Sequence, residues 1–482
     1  MSEKSQNEPG LQIKTPPFGL AILAMIGPSF VWTAEYIGSG EVILATRTGA
    51  ILGAGVLWAI VFGIFLKYWI GMSGARYTVC TGEGMVDMFD RMPGPRHWIV
   101  WIVLLAQFIT AAFSIGSIAT TAGVFIHSLI PVNPVIAGWV VTLFAVAAVW
   151  SGVFDVLKII MSFFVVIIVL GVLYVAVHVF PGFSELLQSL YPSVPQVPEW
   201  ALKVDGINNN PWEQILPLIG WGAGGFASQV WYTYWVLGAG YGAAAGRNYG
   251  QPADVTSLRN MSRQAAEKIK GWCHVLYADA SLAMVIGIVV TSSFFIAGAG
   301  ILGPEKIAPS KEQVAIELSN LFSLRWGHFG GILFLIAGAA AIISTQVGQL
   351  AGWPRLLADS FRICVPGFHK IKWKTQFRLF LVFFIFTNMI IVFSFKKDPT
   401  LLVQFSSLLD GLLLTPLQAI CVAVGLFWVL PRLLSKEAFA ILRPSRIFAV
   451  VLFIAFLVFS YFCIFQMPLV LLKIATGLRD ML

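Results

Sequence analysis

Long apolar stretches separated by short polar ones repeat from one end of this chain to the other. Eleven of them reach the ~20 residues that a helix needs to cross a bilayer: 18–48, 50–74, 97–122, 132–150, 156–180, 212–240, 273–299, 326–352, 376–396, 400–430 and 446–468. Backbone groups inside lipid must be paired within the structure, which leaves helices or closed barrels. The runs are too long and too uniformly apolar for barrel strands, which alternate over about ten residues. The pattern predicts an all-α integral membrane protein with about eleven transmembrane helices.

Two runs differ from the rest. In the first, "GPSFVWTAEYIGSGEVILATRTGA", Gly38-Ser39-Gly40 interrupts the apolar sequence and Glu41 follows directly. In the sixth, "GWGAGGFASQVWYTYWV", Gly222, Gly224 and Gly225 precede Ala227-Ser228-Gln229. Glycine removes the side chain that steadies a helix, and Ser or Gln can serve the freed backbone groups. The breaks stand five spans apart, which is the sequence mark of an inverted repeat with a binding site at mid-membrane. Close helix packing through small residues is the plainer reading of such glycines. The organisation that follows is an N-terminal tail 1–17, a first repeat 18–180, an outer loop 181–211, a second repeat 212–430, and a last span with the C-terminus 431–482.

Composition agrees with the pattern. Of 482 residues, 58% are hydrophobic and 11% charged, against roughly 25% charged in soluble domains. The formal charge of +8 sits in loops, so it speaks for membrane orientation and not for nucleic acid. Alternate loops hold Arg76, Arg91 and Arg96; Lys158; Arg247, Arg259, Arg263, Lys268 and Lys270; Arg355, Arg362, Lys370, Lys372 and Lys374; Arg432, Lys436 and Arg443. The opposite loops hold chiefly Lys203, Lys306, Lys311, Lys396 and Lys397. The bias puts the N-terminus in the cytoplasm and the C-terminus outside. Five scattered cysteines predict free thiols, and the first apolar run reads as a retained span, not a cleaved signal.

A broken helix offers carbonyls at one end and amide N–H groups at the other. Carbonyls beside a carboxylate make a hard-oxygen site suited to Mg, Ca, Mn or an alkali ion. Glu41 is the candidate charge, or alternatively a cap on the second half-helix. Glu35 is a second ligand, a proton carrier, or the partner of Lys67 in the next span; Asp410 is a further acid inside a span. Asp279 and His274 are placed at the membrane interface, and Arg47 as a residue reaching out to it. No nucleotide-binding, nucleophile-elbow or zinc-protease motif occurs, so neither an enzyme nor a resident cofactor is expected.

In wording and order the spans resemble the NRAMP metal transporters over nearly the whole chain. Gly27-Pro28 is followed by Tyr36-Ile37-Gly38-Ser39-Gly40-Glu41, where family members carry Tyr-x-Asp-Pro-Gly-Asn. "LGAGVLWAIVFGIFLKYWIGMSGARYTVCTGEGMVDM" and "IAGAAAIISTQVGQLAG" are similar to the family's second and eighth spans. The resemblance implies a leucine-transporter-type fold with a 5+5 inverted repeat. It also implies departures: the metal-binding Asp falls at Gly38, the Asn at Glu41, and the Met-Pro-His on Ala227-Ser228-Gln229. The tenth-span Gln falls near Leu408, and third-span acids tied to proton movement fall on Gln107, Ser114 and Ser117. The magnesium-transporting branch also carries Ala in place of that Met. A cation is expected between the breaks, held by Glu41 and Gln229, with Gly38, Ser39, Ala227, Ser228 and Thr233 around it. A divalent ion of the Mg or Mn type comes first, without the usual proton coupling. The rival is a small organic solute such as an amino acid or amine, suited to Trp231, Tyr232, Tyr234 and Trp235; these aromatics also fit a packing or interface belt.

Overall fold

A computed structural model describes residues 13–178, 182–204, 206–309, 314–396 and 398–480. Most of the tail 1–17, and Lys311 and Lys397 of the charge comparison, lie outside them. The described residues contain helices and no strand. Eight helical stretches among them are long and apolar enough to cross a membrane, and Pro134–Val149 is a shorter apolar helix.

Both interrupted spans are broken. The first runs as Pro28–Tyr36, passes through Ile37-Gly38-Ser39, and resumes with a wide turn Gly40–Ala45 leading into Thr46–Leu52. The short helix Ala21–Met25 precedes it and is separate, because Pro28 cannot donate to a continuing ladder. The sixth span runs as Trp212–Trp221 and Phe226–Ala239. Between them Ala223 and Gly224 take left-handed backbone (φ 59° and 71°), a strained state for the alanine.

Three boundaries depart from the expectation. The second span extends to Thr81 and ends on a left-handed Gly82. The helix containing the eighth span, Val314–Cys364, turns at Gly327, whose φ is 71°. The tenth span, predicted as continuous, divides into Pro399–Gly411 and Thr415–Val424. The division follows from Gly411 lying against the backbone of Gly220 and from Pro416, which has no N–H to give.

Outer faces of the third, fifth and ninth spans carry exposed Leu105, Ile109, Ile159, Phe163, Phe386 and Ile390. Such apolar exposure is stable in acyl chains and not in water. Inside, polar side chains join helices: Thr142 donates to Asn388 Oδ1 (2.8 Å) and Asn388 Nδ2 to the Ile115 carbonyl (3.1 Å).

Asp279, placed at the interface by the sequence, is fully buried among helices. Its carboxylate accepts from Gly27 N (3.1 Å), Ser29 Oγ (2.8 Å) and Tyr232 Oη (2.9 Å), and so caps the helix that opens the first span. Asp279→Ala leaves those buried donors without an acceptor. The expected loss is about 3 kcal/mol, seen as a lower unfolding temperature in detergent, with Asp279→Asn in between. His274 is exposed. The five cysteines are free.

Candidate functional site

The break in the first span frees backbone groups that the eighth span serves. Ser344 Oγ donates to the Ala34 carbonyl (2.7 Å) and Thr345 Oγ1 to that of Ile37 (3.1 Å). A Cβ at Gly38 would overlap Thr345 Oγ1, so glycine is needed here for close approach. Glu41 folds back on the break: its Oε2 accepts from Gly38 N at 2.8 Å. Its other oxygen, Oε1, is buried without a partner.

The break in the sixth span is served from the second and tenth. Asp410 Oδ1 accepts from Ala227 N (3.2 Å), at the start of the second half-helix, and Gln418 Nε2 donates to the Phe226 carbonyl (3.0 Å). Lys67 Nζ donates to the carbonyls of Ile219 (2.9 Å), Gly220 and Gly224 (2.8 Å). It therefore serves backbone oxygens and not Glu35, the partner offered by the sequence. Glu35 Oε2 instead accepts from Ser228 Oγ (3.0 Å), which itself accepts from Trp32 Nε1 (3.0 Å).

Between the two breaks lies a cavity of about 10 Å³, room for a single water-sized sphere. Glu35, Gly38, Ser39, Gly40, Gly224, Gly225, Trp231, Thr345, Gln349 and Asp410 are among its walls. Three lining atoms, Ser39 Oγ, Gln349 Oε1 and Trp231 Nε1, are buried with no hydrogen-bond partner. Buried polar atoms are rarely left so, and a cluster of them marks a place for a bound group.

The expected site residues sort by this cavity. Gly38 and Ser39 line it, and so do Glu35 and Asp410. Glu41, Ala227, Ser228 and Gln229 stand behind its walls, holding backbone or acids in place; Gln229 Nε2 donates to the carbonyls of Ala223 (3.2 Å) and Gly224 (3.4 Å). Thr233 is two turns away, donating to the Val230 carbonyl (2.6 Å) and accepting from Met85 N (3.2 Å). Among the described residues no three His, Cys, Asp or Glu side chains converge as a ready metal-binding cluster. Any ion in this conformation would rest on two acids plus neutral oxygens.

Gln349, Ser344 and Thr345 were not singled out from the sequence. Their signal was present in "ISTQVGQ", where polar residues at i, i+1 and i+5 share one face of a largely apolar span. Two of the third-span positions are bonded to the same helix: Trp353 Nε1 donates to Gln107 Oε1 (3.0 Å), and Gln349 Nε2 to Ser114 Oγ (3.2 Å), while Ser117 Oγ donates to the Ser114 carbonyl (2.8 Å).

Side chains pack along the bundle on either side of the cavity. Toward the N-terminal side of the bundle, Trp231 meets Trp353 edge-on at 4.8 Å. Beyond them the Arg355 guanidinium sits among Trp235, Tyr249, Trp373 and Phe377, 4.8–5.6 Å from their ring centres. Toward the other side, Arg47 donates to Gln214 Oε1 (3.2 Å) and to the Pro309 carbonyl. Arg47 is buried against these oxygens, one at the start of the sixth span and one in the loop after the seventh. The sixth-span aromatics are buried as well, and Tyr232 stacks on Trp32 at 4.2 Å. They form packing, not an interface belt.

Comparison with known proteins agrees with this architecture. Residues 29–207 match the family model described as natural resistance-associated macrophage protein-like. The divalent metal cation transporter MntH of Yersinia enterocolitica is 30% identical over 99 residues, 19% of this chain and 24% of that protein. MntH of Pectobacterium carotovorum is 29% identical over 99 residues, with the same coverage. The chain thus spans about a quarter of the length of the curated relatives it matches. A manganese transporter of Eremococcus coleocola, solved with an aromatic bis-isothiourea compound, superposes with a TM-score of 0.60 at 13% identity, over 99% of this chain and 100% of that one. Mhp1, a nucleobase-cation-symport-1 family transporter solved closed around bromovinylhydantoin, superposes at 0.55 and 16% identity, over 98% and 94% of the two chains. The chain is thus similar to the NRAMP family over residues 29–207, and it is an integral multi-pass membrane protein with the leucine-transporter-type fold.

Proposed function

We propose that this protein is a secondary transporter that carries a divalent metal ion of the Mg or Mn type across the membrane by alternating access. The observation that carries the reading is the small cavity of about 10 Å³ between two helix breaks, walled by Glu35 and Asp410 and by unpartnered oxygens of Ser39 and Gln349. A cavity of that size accepts an ion and excludes an amino acid. The charges favour a divalent ion. When ionised, Glu35, Glu41 and Asp410 oppose one ammonium, Lys67, and the two negative charges left over are costly in a water-poor bundle. A divalent cation neutralises them.

The donors are hard oxygens throughout, with Ala227 standing where the related family has a thioether, so softer transition metals gain no special ligand. Gln107, Ser114 and Ser117 carry no charge, which argues against proton movement along the third span. Spans 18–180 and 212–430 are the two halves that rock against each other, with the N-terminus cytoplasmic and the C-terminus outside, in accord with the loop cations. The names of the matched relatives, divalent metal and manganese transporters, point the same way.

Flux into proteoliposomes across Mg, Mn, Ca, Na and amino acids, with internal pH recorded, tests the reading. Uptake of Mg or Mn without internal acidification is expected. Amino-acid uptake with no divalent flux would replace it by the organic-solute alternative.

A further inference from the structure

The first half of the sixth span ends at Trp221, and its last carbonyls lack the next turn of helix to bond them. Leu218 O accepts from Gly222 N (2.9 Å) and Trp221 O from Gly224 N (2.7 Å). The Ile219 and Gly220 oxygens take Lys67 instead, together with that of Gly224. Three acceptors use all three donors of an ammonium group. The helix end adds partial negative charge, and Glu41 and Asp410 are the carboxylates whose charge acts on Lys67.

We propose that the carbonyls of Ile219, Gly220 and Gly224 form a monovalent-cation site that Lys67 fills with its own ammonium, a tethered counter-ion where a free alkali ion would otherwise bind. The site adjoins the metal cavity, whose wall includes Gly224, but it is filled by Lys67 itself, and the proposal does not depend on what that cavity carries.

Two further oxygens support it. Gln229 Oε1 and Glu41 Oε1 are buried without partners. Gln229 is fixed through its nitrogen to Ala223 and Gly224, and a Cβ on Gly71, one turn past Lys67 on the same helix, would lie 3.6 Å from its free oxygen. The surroundings are therefore rich in hard oxygen, the donor type of alkali ions. The Phe459 ring lies 6.0 Å from Nζ. Lys67 itself is fully buried on the continuous helix Leu57–Thr81, so its charge stays with the fold. A bound sodium or potassium ion can leave; this cation cannot.

Thermal unfolding of the full chain in detergent, with chelator and equal concentrations of sodium, potassium, choline or N-methylglucamine chloride, tests the proposal. The wild type is expected to unfold at one temperature in all four. Lys67→Met is expected to unfold lower in choline and N-methylglucamine, and to regain more than half of the lost temperature, saturably, in sodium or potassium. Lys67→Arg keeps a cation and is expected to remain indifferent to the salt. A folded Lys67→Met protein with the same unfolding temperature in all four salts overturns the proposal. Should Lys67→Met fail to yield protein, Lys67→Gln carries the same comparison. Failure of both in sodium and potassium as well also overturns it, because a free ion is expected to take the vacated place. Divalent ions are absent throughout, so the outcome is independent of the transport reading.

Discussion

Gly225→Ala is expected to abolish transport and to destabilise the protein by about 3 kcal/mol, the upper part of the range for overpacking a closed core. Gly225 has ordinary backbone angles (φ −88°, ψ −166°), so alanine causes no torsional strain there. The obstacle is space. A Cβ at this position would overlap the Asp410 carboxylate and crowd its backbone. The contact is between backbone at the start of one half-helix and a charged group that already bonds Ala227 N, so neither side can yield cheaply. Moving Asp410 away also opens the cavity wall. Gly222→Ala is the control in the same break. Its Cβ would meet nothing nearer than 3.4 Å, and its φ is −54°, so less than 1 kcal/mol is expected. Gel filtration, unfolding temperature and metal flux on both variants check the contrast. Equal behaviour of the two would mean that glycine here serves flexibility and not proximity.

That contrast marks how far the sequence could be read. Long apolar runs gave the membrane class, because hydrocarbon admits few alternatives to a helix. The interruptions at Gly38 and Gly222–Gly225 gave the two breaks for the same reason: glycine and a polar follower are out of place in such a run. What the letters could not show is which atoms come together across 183 positions, as Ala227 and Asp410 do. Glu41 was chosen for its place behind the break, yet proximity in sequence turned its carboxylate back onto Gly38 N. Asp410 looked like one acid in a continuous span, since the interruption after Gly411 depends on the Gly220 backbone opposite. An ion pair with Lys67 is one of the roles the sequence offers Glu35, whereas carbonyls freed by the sixth-span break supply three bonds to Lys67 in one place. Backbone oxygens leave no mark in a sequence until the helix end that exposes them is located. The polar face of the eighth span was legible, but only the break it serves gave it meaning.

Asp410→Asn and Glu41→Gln should separate the two acids by their effects. Both substitutions keep an oxygen that can accept the bond now made, from Ala227 N in one case and Gly38 N in the other. Both remove one negative charge near Lys67. They differ in position: Asp410 lines the cavity, and Glu41 does not. Asp410→Asn is therefore expected to lower divalent flux on the order of 100-fold, the scale for losing an anionic ligand or its direct support, and to lower the unfolding temperature as well, because Asp410 too is a counter-charge of Lys67. Glu35→Gln, across the same cavity, should act similarly on flux. Glu41→Gln is expected to fold less stably, because Lys67 loses a counter-charge inside the bundle, and to lower flux by roughly tenfold or less. The pair of readouts, flux in liposomes and unfolding temperature with and without Mn, distinguishes them. Stabilisation by Mn should persist in Glu41→Gln and disappear in Asp410→Asn. The reverse pattern would move the ion from the cavity between the breaks to the carboxylate behind it.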